Sequence, residues 1–417
     1  MSYDENRVIV IGAGVIGLCT AWHILKAGRP VTVIDRGGDS QSGCSYGNAG
    51  MVVPSHFMPL AAPGVISQGL KWLANPEGPF YIRPRANGEL LRWIKLFAKH
   101  ATAKHVESSV ELLRDLNLES RRLFKEMAQE AGSELTEKGL LMLCNTDKGL
   151  DEEAEVAELA CRLGVEAEVC DAARLHKLDD GIRMDVKGGV WFKNDCHMDP
   201  AIFVSGLRNR LVEMGAEFVV DTEVKGLNHQ GGGVITLDGV KVPPGLEIVL
   251  AGGAWSGELI KSLGHRMPMQ AGKGYSLTLN NPREQPKLCS ILCEAKVAVT
   301  PMGDKLRFGG TMEICGNDLS INPRRVRGIV NSVSDYFPSY QSTDFEAVEP
   351  WSGLRPCSPD GLPYIGRVNG YSNLTVASGH AMMGLSMGPV TGRLIGELIT
   401  NEPPCMDIRK LDPLRFD

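Results

Sequence analysis

The pattern of apolar positions opens the chain as strand, helix, strand. Val8-Ile9-Val10-Ile11 is a continuous apolar run, the signature of a strand buried on both faces. A helix is predicted from about Val15 to Ala27, stopped by Gly28, and Val31-Thr32-Val33-Ile34 forms the second strand. Residues 37–70, rich in Gly, Ser and Pro, read as ordered loop. Helical periodicity then runs from about Glu89 to Ala131. It is followed by a strand at Leu140-Leu141-Met142-Leu143 and a charged helix near 151–163. Gly188 to Phe192 is a further strand, Pro200 to Met214 a helix, and Glu217 to Val220 a strand. Short strands separated by turns reach to about residue 315. The end returns to a strand at Leu374-Thr375-Val376-Ala377 and a helix from about Pro389 to Thr400. The distribution predicts an α/β chain, with a Rossmann-type nucleotide domain in separated segments and an α+β second domain carrying an inserted β-sheet. The expected division is 1–70, 197–265 and 355–417 for the nucleotide domain, and 71–196 with 266–354 for the substrate domain.

Composition narrows the class without changing this picture. The 417 residues, 43% hydrophobic and 23% charged, suffice for two globular domains. A net charge of −6 gives no electrostatic reason to expect nucleic acid. The acidic start, Met1 to Asn6, lacks the basic region of a signal peptide, and no apolar run approaches the roughly 18 residues needed to span a bilayer. A cytoplasmic location is therefore expected. Eleven scattered cysteines without a CxxC read as reduced thiols; Cys289 and Cys293 lack the further ligands of a zinc set, and no metal is expected. Oligomeric state is not legible.

Gly12-x-Gly14-x-x-Gly17 lies between the first strand and the first helix. Its glycines permit a tight turn, backbone approach to a pyrophosphate, and close helix–strand packing; the anion sits at the helix N-terminus. Asp35 ends the second strand, where a carboxylate accepts from ribose hydroxyls and repels a 2′-phosphate. This fingerprint alone leaves FAD and NAD both open. Three segments favour FAD. They are Gly43 to Met51 after the second strand, Ile248 to Trp255 ending in small residues, and Gly379-His380-Ala381-Met382-Met383-Gly384-Leu385-Ser386-Met387-Gly388-Pro389 before the closing helix. Gly384, Gly388, Gly392 and Gly396 leave one helix face bare. Close packing accounts for Gly392 and Gly396, and flavin contact is expected of Gly384 and Gly388.

With these segments in view, the chain resembles the D-amino-acid dehydrogenase branch of the glycine oxidase and D-amino-acid oxidase superfamily. The likeness extends over nearly all of it. Its most specific parts are the glycine start, Ser45 to Met51, Trp351-Ser352-Gly353-Leu354-Arg355-Pro356 with Asp360 to Gly366, and the closing Gly-His segment. The resemblance implies dissociable FAD held by Gly12, Gly14, Val15, Ile16, Gly17, Asp35, Arg36, Ser45, Asn48, Gly50, Met51, Val224, Ala251, Gly384, Leu385, Ser386 and Met387. It departs from the branch at Ala381-Met382-Met383, and it lacks the cysteine register of covalent-flavin sarcosine oxidases, Cys357 being offset.

An amino-acid oxidising flavoenzyme must hold a carboxylate and place the α-hydrogen against the flavin. Arg355 is the expected carboxylate fork, and the family's carboxylate arginine falls on it. Tyr275 is a candidate to cap the same carboxylate. His380 is a candidate to bond substrate or flavin as a neutral imidazole, and His56 a candidate near the ring edge. Glu313 reads as structural. The expected reaction is oxidative deamination of a small or cyclic D-amino acid, D-proline or hydroxy-D-proline favoured, with Met51, Met382 and Met383 as an apolar wall. A glycine or sarcosine type of amine oxidase, and a flavoprotein subunit of a hetero-oligomeric dehydrogenase, stand as alternatives. Residues 88–105 combine Leu90, Leu91, Trp93, Ile94, Leu96 and Phe97 with Arg92, Lys95, Lys99, Lys104 and the histidines His100 and His105. That combination points to peripheral docking on an anionic membrane and to a membrane quinone as electron acceptor.

Overall fold

A computed structural model describes residues 5–38, 43–230, 233–240 and 242–417. The opening apolar runs form strands Val8–Ile11 and Val31–Ile34, every residue of both buried, with the helix Val15–Lys26 crossing between them. Such fully buried parallel strands need cover on both faces, and the sequence supplies it from distant segments. The first sheet runs in the order Tyr364–Arg367, Leu374–Ser378, Glu247–Leu250, Val8–Ile11, Val31–Ile34, Glu217–Val219. All its pairings are parallel except the edge pair Tyr364–Arg367 with Leu374–Ser378.

A second, mixed sheet of nine strands is built around the long antiparallel strands Gln270–Asn280 and Lys305–Ile314. Trp351–Cys357 forms its edge beside the first of these. The expected domain boundary at residue 355 falls inside this edge strand, so the ladder continues two residues past it. The helical stretch expected from 89 to 131 divides into Gly88–His100 and Ala103–Glu130. Asn87 and Thr102 supply a side-chain cap to each, which is why the break falls there. Four helices escape the periodicity reading, one of them Ser256–Lys261 in the region expected to hold only short strands and turns. Val65–Leu73 lies partly in the expected loop, while Ala172–Leu178 and Pro323–Val333 are short helices with capping side chains at Asp171 and Asn322.

The closing helix Gly388–Ile399 lies along Val15–Lys26 at very short range. A Cβ on Gly392 would stand 2.4 Å from the Cys19 carbonyl oxygen, and one on Gly388 3.1 Å from Val15. Gly388, expected at the flavin, therefore serves the helix pairing together with Gly392.

Candidate active site

The turn after the first strand is held from both sides. Gly12 has φ +109°, and a Cβ there would stand 2.4 Å from the Ala251 carbonyl oxygen, so only glycine fits. A Cβ on Gly17 would come within 1.9 Å of the Gly12 oxygen, which makes Gly17 the residue of close helix–turn packing. The Asp35 carboxylate accepts from the Ala13 amide at 2.6 Å and the Gly37 amide at 2.7 Å. The Ser45 hydroxyl accepts from the Val15 amide at 3.0 Å and so meets the helix N-terminus from another segment. Asn48 folds its own loop by accepting from the Gly50 amide. Arg307, which no sequence signal marked, braces this loop by donating to the carbonyls of Tyr46 and Asn48.

These segments enclose a cavity of about 860 Å³ that runs from the glycine turn to the strand bearing Arg355. A volume of that size suits an extended cofactor with a small substrate. Gly12, Gly14, Val15, Ile16, Asp35, Arg36, Ser45, Asn48, Val224, Ala251, Gly384 and Leu385 line it, as do Arg355 and His380. Arg36 also lies 3.5 Å over the Trp255 ring, and both line the cavity; the stacking of the two is what sequence reasoning did not foresee.

Several expected contacts fall elsewhere. Gly50 does not line the cavity; its φ of +77° and a Cβ position 2.2 Å from the Met198 oxygen explain the glycine by packing. Met51 is buried in a two-residue pairing with Cys196–His197, and Met387 is buried behind the wall. The Ser386 hydroxyl donates to Asn117 at 2.7 Å and accepts from the Val53 amide at 3.0 Å, joining three segments rather than meeting a ligand. Met382 is 46% exposed, and none of Met51, Met382 and Met383, expected as an apolar wall, is part of the cavity lining.

Tyr275 requires a correction. Its strand alternates, so Gly274 faces the cavity side and Tyr275 the opposite core. There the phenol is buried and donates to Glu313 at 2.5 Å, and burial followed by that carboxylate pushes its pKa well up. It does not line the cavity. The Glu313 carboxylate also faces Lys273 at 3.6 Å. His56 likewise stands off the cavity. Its Nδ1 is 3.0 Å from Ser55, whose hydroxyl donates to the buried Asp195, and burial lowers its pKa to about 4.

Two side chains remain for chemistry. Arg355 is partly buried on the cavity wall and donates from Nη1 to the Thr311 carbonyl at 2.6 Å. Among the described residues no carboxylate lies within ion-pair distance of it; only the thiols of Cys44 and Cys357 stand near, and burial lowers its pKa. His380 follows in space, since Cys357 and His380 form a backbone bridge. Its Nε2 is 2.9 Å from the Thr391 hydroxyl, its buried Nδ1 has no partner, and burial lowers its pKa to about 3. It is therefore a neutral imidazole at physiological pH.

Twelve of the expected cofactor residues share one wall, a glycine turn approaches the Ala251 backbone, and an acid follows the second strand. Together these define a dinucleotide-binding oxidoreductase whose cavity fits FAD. The chain belongs to the DAO family of FAD dependent oxidoreductases, whose family model matches residues 7–398. It is an FAD-dependent oxidoreductase. Among curated proteins it is 34% identical over 404 residues to a D-amino acid dehydrogenase of Vibrio atlanticus (strain LGP32), covering 94% of this chain and 96% of that one. It is 31% identical over 418 residues to a D-amino acid dehydrogenase of Granulibacter bethesdensis, covering 98% and 99%. The fold matches the crystal structure of glycine oxidase from Geobacillus kaustophilus with a TM-score of 0.77 at 21% identity, covering 99% of this chain and all of that one.

Proposed function

We propose that this enzyme oxidises a small D-amino acid at its α-carbon, with D-proline and hydroxy-D-proline the substrates to test first. The observation that carries the reading is Arg355, a cation on the cavity wall with open donors and no anionic partner among the described residues. A buried guanidinium without an anion is costly, and a substrate carboxylate supplies one in bidentate geometry. The names of the two relatives support the D-configuration. Leu319, Leu354, Pro356 and Ala381 give this end of the cavity an apolar wall, which suits an uncharged side chain.

Bound FAD, held without a covalent link by the residues that line the turn, supplies the acceptor for the hydride. Arg355 fixes the carboxylate and thereby the direction of the Cα–H bond. Thr391 holds the His380 ring, leaving the unpartnered Nδ1 to bond substrate amine or cofactor. Anaerobic mixing with a panel of D- and L-amino acids tests this. Flavin bleaching by small D-amino acids is expected, and bleaching by glycine or sarcosine alone would replace the reading with an amine oxidase.

The electron acceptor in this reading is a membrane quinone, reached by peripheral docking. Helix Val65–Leu73 supports it, since it turns Ile66 (42% exposed) and Leu70 (63%) outward beside Lys71. Helix Gly88–His100 adds outward Leu91 and Ile94 near Lys95 and Lys99. Trp93, expected at a lipid interface, instead faces the core and donates to the Cys357 carbonyl, because that side of the helix packs on the active-site strand. No described helix is long and apolar enough to cross a membrane. Leu70→Glu with Leu91→Glu should abolish sedimentation with anionic vesicles and leave turnover with a soluble acceptor intact. Wild-type protein that ignores such vesicles, and is reoxidised rapidly by air, would defeat the quinone reading.

A further inference from the structure

The Arg355 guanidinium rests on a seat made by two other strands. Arg355 lies opposite Gly272 in the ladder between Trp351–Cys357 and Gln270–Asn280, so its side chain shares a face with Gly272 and Gly274. A Cβ on Gly274 would stand 2.3 Å from Nη2 and 2.4 Å from both Cζ and Nη1. The planar cation thus lies directly on the Gly274 backbone, in space that any side chain would fill.

The next strand supplies the end stop. Lys273 pairs with Glu313 and Tyr275 with Gly310, so Gly274 alone opposes both Thr311 and Met312. At this bulge Thr311 has φ +68°, a left-handed backbone that a β-branched residue rarely adopts. Strain of this kind persists where surrounding structure over-determines it. Here its product is a carbonyl aimed at Nη1 at 2.6 Å instead of one running along the ladder. From this we infer that Gly274 and the bulge at Thr311 are positioning elements for substrate binding. They hold the Arg355 fork in one plane, with its remaining N–H edge open to a carboxylate. The inference rests on the reading of Arg355 as the carboxylate residue.

Holoenzyme variants are assayed with D-proline and D-alanine and an artificial acceptor, reading KM, kcat and the flavin-to-protein ratio. Gly274→Ala places a methyl group in the guanidinium's space. It should raise KM at least 10-fold while kcat falls less than threefold. In an Arg355→Ala background the same methyl should change KM less than twofold, because it acts only through the arginine. Equal penalties in both backgrounds overturn the inference. Should Gly274→Ala not fold, Arg355→Lys decides. It keeps the charge but cannot hold the Thr311 carbonyl while presenting a planar pair of donors. A KM at least 10-fold above wild type is expected, and one within twofold overturns the seat. If Arg355→Ala itself leaves KM unchanged, the carboxylate reading fails first, and the seat with it.

Discussion

Replacing Asp35 by Ala removes an acceptor from two backbone amides at once. The bonds from Ala13 at 2.6 Å and Gly37 at 2.7 Å are short and have a charged acceptor. Hydrogen bonds to charged groups are worth about 1.5–3 kcal/mol each, so the turn and its flank lose at most about 3–6 kcal/mol. Most of that loss is felt whether or not cofactor is present, and water entering the emptied space recovers part of it. What reaches cofactor affinity is the looser turn together with the lost carboxylate at the ribose position. We expect about 1.4–2.8 kcal/mol, a 10- to 100-fold rise in the FAD dissociation constant. Titration of apoprotein with FAD, followed by flavin fluorescence, measures the affinity, and thermal unfolding of the apoprotein measures the turn. A dissociation constant within twofold of wild type, with an unchanged apoprotein Tm, would refute both roles of Asp35.

Two further perturbations probe the frame around the site. Gly392→Ala drives a methyl group to 2.4 Å from the Cys19 carbonyl oxygen; the helix pair must part, costing about 1–3 kcal/mol in denaturant unfolding. FAD should also bind more weakly, since the helix that moves presents its N-terminus to the cofactor turn; unchanged stability would mean that the helices do not approach this closely. Burial holds the His197 pKa at about 4, below the ordinary value near 6.5. The stability that its neutral ring contributes is complete above pH 6.5 and is lost as pH falls toward 4, because unfolding then takes up a proton. His197→Gln should therefore reduce proton uptake on unfolding by about one at pH 5, read from urea midpoints between pH 8 and 5. Identical pH slopes in variant and wild type would contradict a neutral buried histidine.

The cofactor end was legible because its chemistry is local. A buried strand, three glycines and an acid roughly 20 residues on lie within a short stretch, and the fold needs no distant information to bring them together. The substrate end was less legible because it depends on which face of an element meets the cavity. Tyr275 and Gly274 differ by one position, and only the pairing of three strands decides that the glycine faces Arg355. Helix Gly88–His100 is apolar on two sides, and periodicity cannot tell that Trp93 packs inward while Leu91 stays out. Ser386 and Met387 follow Gly384 and Leu385 directly, yet the backbone turns them away from the wall the first two line. Arg307 carries no local signature at all; its role exists only because the loop at Tyr46 and Asn48 folds over its strand.

The interleaved order of the first sheet also dictates when this protein can acquire its cofactor. Val8–Ile11 has Val31–Ile34 on one side but waits for Glu247–Leu250 on the other, and Val15–Lys26 waits for Gly388–Ile399. On a ribosome, where the N-terminus emerges first, the glycine motif is synthesised early and stands without its second wall until nearly the whole chain has appeared. Pairings this distant in sequence close slowly. Cofactor capture thus waits on segments far along the chain, Glu247–Leu250 beside Val8–Ile11 and Gly388–Ile399 beside Val15–Lys26. A chain cut before Ala377 keeps every residue of the glycine turn yet loses the wall from Ala377 to Leu385 and the helix that backs the turn, and it is expected to bind flavin more weakly.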